Sequence, residues 1–167
     1  MKLTTTRFGE IEIDESRIVE MRGAILGFGH FRRYMLLLQD EKTPFCWFQS
    51  VDDGAVAFVV INPFITKPDY EPILLDEHLR LLEIETEQDI LLLSIVTIRS
   101  QPFTVSANLR APLVINIRKM VGAQVVLHDS AHSIQYPVET CDAGSATGVR
   151  DEEKMVNVAR IGPAVAM

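Results

Sequence analysis

Pro44-Phe45-Cys46-Trp47-Phe48-Gln49-Ser50-Val51-Asp52-Asp53-Gly54-Ala55-Val56-Ala57-Phe58-Val59-Val60-Ile61 is the stretch that decides the fold class. Two short runs, Phe45–Ser50 and Val56–Ile61, are rich in aromatic and β-branched residues, the types that suit a pleated, packed surface. Asp52-Asp53-Gly54 between them is turn chemistry, and no further oxygen ligands follow at the spacing of a calcium loop. The passage therefore reads as two strands joined by a turn.

The same texture extends in both directions. Lys2–Phe8, Gly9 and Glu10–Ile13 read as a hairpin, because Ile11 and Ile13 alternate with Glu10, Glu12 and Asp14. Further strands are expected at Ile18–Met21, Tyr34–Leu38, Ile90–Arg99, Val114–Ile117 and Gln124–Leu127. One short helix is expected near Asp76–Leu82, with Asp76 as its cap and Leu75, Leu79 and Leu82 on one face. No strand–helix–strand rhythm and no internal repeat is visible. The expectation is a mainly β, small antiparallel β-barrel or sandwich-like domain with one short helix.

The chain has 167 residues, of which 47% are apolar, enough for one domain with a core. That domain is expected over residues 1–138, with a flexible acidic C-terminal tail over 139–167, where small polar residues bury too little to offset ordering. The net charge is −7. Residues 1–138 hold 18 acidic and 13 basic side chains, and residues 139–167 hold 5 and 3. A phosphate-backbone binder needs clustered positive charge, so direct nucleic-acid binding is not expected. An acidic body suits either solubility or a basic protein partner. Two cysteines, Cys46 and Cys141, are too few and too far apart for a disulfide framework, which points to a reducing compartment. The first residues lack the apolar run of a secretory signal, and Ile90–Leu93 is far short of the ~20 apolar residues of a bilayer span. No membrane association and a cytoplasmic location are expected.

Catalytic motifs are missing. The sequence has no nucleophile elbow, no zinc-binding His-Glu-x-x-His and no phosphate loop. Gly23-Ala24-Ile25-Leu26-Gly27-Phe28-Gly29 lacks dinucleotide spacing and reads as a loop that needs positive φ. His128 and His132 lie at a strand end and a turn, so they read as a surface pair rather than a metal site. Cys46 sits in an apolar strand and reads as a buried, inert thiol. No catalytic, metal-ligating or cofactor-binding residue is assigned, and no cofactor is expected.

Two segments carry unusual residues of another kind. Ile61-Asn62-Pro63-Phe64-Ile65-Thr66-Lys67-Pro68-Asp69-Tyr70-Glu71-Pro72 packs three prolines and two aromatics into twelve residues, so it cannot be a central strand. Ser106-Ala107-Asn108-Leu109-Arg110-Ala111-Pro112-Leu113-Val114-Ile115-Asn116 flanks a strand with asparagines and a proline, residues that bond backbone groups at bends. Each segment serves either as a structural anchor or as a displayed docking surface. The candidate partner-binding residues are Asn62, Pro63, Phe64, Asp69, Tyr70, Asn108, Leu109, Pro112 and Asn116.

These segments also carry a resemblance. Phe8-Gly9-Glu10-Ile11, Gly27-Phe28, Pro44-Phe45-Cys46-Trp47-Phe48-Gln49-Ser50, Asn62-Pro63 and Pro68-Asp69-Tyr70 occur in an order that resembles the flagellar assembly factor FliW family. The second half is similar to it too, through Ile95-Val96-Thr97-Ile98, Ala107-Asn108-Leu109-Arg110-Ala111-Pro112, Ile115-Asn116 and Gly122-Ala123-Gln124-Val125-Val126-Leu127. The likeness runs from about Leu3 to Val138. One departure is Leu26, where the family's Gly-Ile-Pro-Gly-Phe loop has proline.

The resemblance implies a non-enzymatic cytosolic binding protein with a small β-barrel-like fold. It implies two partners, the C-terminal region of flagellin and the RNA-binding translational repressor CsrA. In the family, free FliW inhibits CsrA without competing with RNA, and flagellin occupies FliW until its export. Two other classes remain beside this reading. One is a small β-barrel hydrolase or isomerase with a carboxylate-lined pocket; the other is a single-strand nucleic-acid barrel, for which Phe31-Arg32-Arg33-Tyr34 alone comes near.

Overall fold

The two strands read from residues 44–61 form as expected in a computed structural model, which describes residues 1–23, 25–38, 42–128 and 131–139. Apart from Glu139, the expected tail lies outside the described residues. The strands are β1 (Lys2–Thr5), β2 (Gly9–Glu12), β3 (Val19–Met21), β4 (Arg33–Leu38), β5 (Phe45–Ser50) and β6 (Ala57–Ile61). After two short helices, α1 (Pro63–Thr66) and α2 (Asp76–Leu81), come β7 (Ile90–Ser100), β8 (Phe103–Ala107), β9 (Leu113–Asn116), β10 (Val121–Gln124) and β11 (Tyr136–Pro137).

Among the described residues, nine strands form one sheet in the order β11-β8-β7-β6-β5-β4-β3-β10-β9. The long β7 also pairs with β9, from Ile90↔Asn116 to Leu93↔Leu113, so the sheet curls until its far side meets itself. The strands β8 and β11 splay off β7 beyond that seam. The result is a curled sheet rather than a strict barrel. Pairing is antiparallel except between β10 and β3, which run parallel through Val121↔Glu20 and Gly122↔Met21.

The register breaks between the two partners of β7. Val96 faces Ala107, whereas Leu93 faces Leu113. Residues 108–112 therefore sit opposite the two residues 94–95 and are pushed out of the ladder as a large bulge. The bulge is held on its other flank, where Val125 N–H donates to the Pro112 carbonyl at 2.9 Å and Leu127 N–H to the Arg110 carbonyl at 2.8 Å.

All six residues of β5 are buried, because both of its faces are covered. Cys46 and Phe48 join Tyr34 and Leu36 of β4 inside the curl. Trp47, with Met35 and Leu37, points the other way and lies beneath the separate β1–β2 hairpin. Phe8 of that hairpin meets the Trp47 ring edge-on at 5.7 Å. A third cluster joins Tyr70, Leu82 and Leu109 to β7–β10, under α2 and the segment before it.

Several expectations are corrected. β1 is shorter than Lys2–Phe8, because Thr5 Oγ1 accepts from Phe8 N–H at 2.8 Å and donates to the Gly9 carbonyl at 2.9 Å, closing a turn early; β2, at Gly9–Glu12, begins and ends one residue before Glu10–Ile13. The last large strand is Val121–Gln124 rather than Gln124–Leu127. Two strands, β8 and β11, were not anticipated, nor was α1. Asp76 does not cap α2: it is the first helical residue, and Leu75 occupies the cap position. The Leu75 N–H instead donates to Nδ1 of the His78 ring at 3.1 Å.

Candidate partner-binding groove

Asn62 is the residue that turns β6 into α1. Its side-chain oxygen accepts from Phe64 N–H at 2.9 Å, and Pro63 behind it supplies a ready-made helical φ. The pairing of β6 with β7 ends at Ile61↔Ser94. From there the chain climbs away from β7, and a groove of about 550 Å³ opens between them. Its floor is Ile90, Leu91 and Leu92 of β7, and its walls include Phe64, Leu74, Leu79 and Ile84. Asn62, Glu85, Thr86 and Glu87 supply the polar part of the lining.

The rim is braced by charge. The Arg118 guanidinium, on the turn after β9, bonds the Glu85 carboxylate and lies 3.5 Å from Asp89. This ties the 84–89 wall to the turn and holds the Arg118 pKa above its ordinary value, with the Glu85 hydrogen bond as the main cause. Across the fold, Arg22 reaches both the Leu81 carbonyl at 3.1 Å and Glu83 at 2.8 Å.

The residues singled out in the sequence fall into two sets. Asn116 is fully buried; its Nδ2 donates to the carbonyls of Leu82 at 2.9 Å and Glu83 at 3.0 Å. Its Oδ1 accepts from the N–H groups of Arg118 and Lys119. Asn108 Oδ1 accepts from Arg110 and Ala111 N–H and shapes the bulge. Tyr70 is buried, and its hydroxyl donates to the Leu109 carbonyl at 2.6 Å. That bond joins the proline-rich segment to the bulge. Burial pushes the Tyr70 phenol above its ordinary pKa. Leu109, Pro63 and Pro112 are buried as well. These residues anchor the groove's surroundings. Phe64 and Asp69 are exposed; Phe64 forms part of the groove wall, and Asp69 pairs with Lys67 at 3.0 Å.

The groove's apolar lining beyond Phe64 was not singled out from sequence. Leu74, Leu79 and Ile84 had only the helical spacing around α2 to mark them. Of the two histidines weighed as a pair, His128 is exposed and His132 packs edge-on against Tyr70 at 5.1 Å. Among the described residues no group of three or more His, Cys, Asp or Glu is placed to hold a metal ion. Among the same residues no helix is long and apolar enough to cross a membrane.

Fold and groove define a class first: a small curled-sheet domain that presents an apolar cleft with carboxylates on its rim. The FliW protein family matches residues 2–138. The flagellar assembly factor FliW of Syntrophus aciditrophicus is 56% identical over 138 residues, covering 83% of this chain and 87% of that protein. That of Geobacter sulfurreducens is 37% identical over 137 residues, covering 82% and 86%. A crystal structure of the flagellar assembly factor FliW aligns with a TM-score of 0.74 at 40% identity, covering 82% of this chain and 96% of that one. The chain belongs to the FliW family of flagellar assembly factors.

Proposed function

We propose that this flagellar assembly factor binds the C-terminal region of flagellin as a chaperone-like partner in the cytoplasm. The same molecule antagonises the translational repressor CsrA by protein–protein binding and so couples flagellin translation to export. It works by offering surface to other polypeptides and transforms no substrate. The observation that carries this reading is the family relationship across residues 2–138. The groove supports it: an apolar cleft open to solvent suits an incoming polypeptide better than it suits an acid–base reaction. The rim carboxylates Glu85 and Glu87 are exposed, and Glu85 is already engaged by Arg118.

Partner exchange results if the two ligands cannot be held together, or if binding one lowers affinity for the other. Calorimetric titration of the full chain with purified flagellin and with purified CsrA tests the proposal. A defined complex with each is expected, and preloading with flagellin should weaken the CsrA complex. A chain that ignores both partners overturns it. Tyr70 and Asn108 are poor probes of contact, because both hold the fold. Phe64→Ser and charge changes on the groove rim are the informative variants.

A further inference from the structure

The acidity of this chain is local. Residues 62–92, which build the floor and most of the walls of the groove, carry 8 acidic side chains against 2 basic ones, while the whole chain has a net charge of −7. Most of the excess therefore falls within the stretch of chain that builds the groove. Part of it is answered from elsewhere, by Arg22 on Glu83 and by Arg118 on Glu85 and Asp89. Glu87, which lines the groove, and Glu71, next in sequence to the lining residue Pro72, remain exposed, as do Asp76 and Glu77 of α2. Beside these carboxylates the groove's lining is mostly apolar, and there Phe64 is 40% exposed. Ile73, next to the lining residues Pro72 and Leu74, is 66% exposed.

We infer that the groove receives a polypeptide segment that is apolar on one side and carries Lys or Arg beside its apolar residues. The inference rests on the proposed function, that the chain works by binding polypeptides, and assigns this groove to a basic partner segment. The chemistry is complementary at each layer. Apolar side chains fill the floor, and Lys or Arg stems lie along Phe64 and Ile73 with their heads at the rim carboxylates. An acidic segment is repelled by the same rim. Because the mouth is open to solvent, the ionic part of binding is screened by salt, and the apolar part is not.

The test uses the full chain and a fluorescein-labelled amphipathic Leu/Lys peptide, followed by anisotropy. A Leu/Glu peptide and a Ser/Lys peptide serve as sisters. The proteins are wild type, the double variant Glu71→Lys/Glu87→Lys, Phe64→Ser, and Glu10→Lys/Glu12→Lys in the distant hairpin, which shifts net charge equally. Thermal unfolding of each variant checks the fold, and the rim double variant decides if Phe64→Ser does not fold. Only the Leu/Lys peptide should bind wild type. The rim variant should weaken it by about tenfold or more, and the hairpin variant by much less. Raising salt from about 0.05 M to about 0.5 M should weaken wild type more than the rim variant. Equal loss in the rim and hairpin variants, equal binding of the Ser/Lys peptide, or no binding at all overturns the assignment. Flagellin and CsrA are titrated against the same proteins. If both bind the groove variants as they bind wild type, the groove assignment falls and the proposed function stands. If neither binds wild type while the Leu/Lys peptide binds at the groove, the function falls and the groove assignment stands.

Discussion

Single side chains such as Tyr70 and Asn116 hold a loop-rich surface still around the groove through bonds to backbone carbonyls, whereas Tyr34, inside the curl, is held by packing. It is fully buried and stacks on Phe48 at 4.8 Å with the rings 4° from parallel. Its hydroxyl has no hydrogen-bond partner among the described residues. A buried, unpaired hydroxyl costs about 1–3 kcal/mol, so Tyr34→Phe should leave stability at neutral pH unchanged or raise it by up to about 1 kcal/mol. Burial, helped by the Asp52 carboxylate, pushes the phenol from 10.0 up to about 12. The folded state therefore holds this proton more tightly than the unfolded chain does. That contribution is intact below pH 10 and is lost as pH rises through about 12. Urea unfolding of wild type should weaken across this window, and Tyr34→Phe should weaken less. The remaining fall would come from Tyr70, which burial also raises. An identical alkaline profile in the variant would contradict the assignment. This scale was legible only in part. Asn108 and Asn116 stood out because asparagine bonds backbone groups at bends, and both do; Asn62, marked only by the proline-rich segment around it, does so too. The local partners of Asn62 and Asn108 follow from such spacing, but Asn116 Nδ2 bonds carbonyls as far away as Leu82 and Glu83, and no local spacing reveals those.

Elements were legible where a strand is bounded by strong turn formers. β5 lies at Phe45–Ser50 as read, since Thr43-Pro44 and Asp52-Asp53-Gly54 punctuate both ends. β10 was displaced because Gly122 and Ala123 have weak strand propensity, while Val125-Val126-Leu127 has much. Contact overrides propensity here: a Cβ on Gly122 would come within 3.1 Å of Ile115 Cγ1 and Met21 Sδ, so only a small residue lets β10 sit between β9 and β3. The groove was missed because it depends on β6 parting from β7, and α1 makes that parting. Asn62→Ala removes the cap of α1 and should cost about 1 kcal/mol in thermal unfolding, with Asn62→Ser recovering most of it. The same change loosens the wall that carries Phe64. Asn62→Ala should therefore weaken the peptide complex more than Asn62→Ser does. Equal binding by the two variants would show that α1 does not position the wall.

At the scale of the molecule, the curled sheet and the β1–β2 hairpin are joined unequally. Strands β4 to β7 are each paired on both sides, so no edge of that belt is free to open first. The hairpin forms its own two-stranded sheet and meets the belt chiefly through one apolar cluster. Thr6 N–H adds a backbone bond to the Gly54 carbonyl at 3.0 Å, and the Arg7 guanidinium lies 4.4 Å over the Trp47 ring. Units with fewer shared bonds open at lower free energy, so amide exchange should be fastest in β1–β2 and slowest in β4–β6. Gly54 tests the joint itself. Its backbone does not need positive φ; it needs room, because a Cβ there would overlap the Thr4 carbonyl oxygen. Backbone is the obstacle, so the overlap is relieved only by moving β1 away from the turn. Gly54→Ala should destabilise the protein by about 2 kcal/mol. It should raise exchange at Leu3 and Ile11 far more than at Leu36 or Phe48. Trp47 fluorescence should report the same event, because lifting the hairpin exposes the indole to water while the belt stays closed. Uniform loss of protection across both sheets would mean instead that hairpin and belt open as one unit.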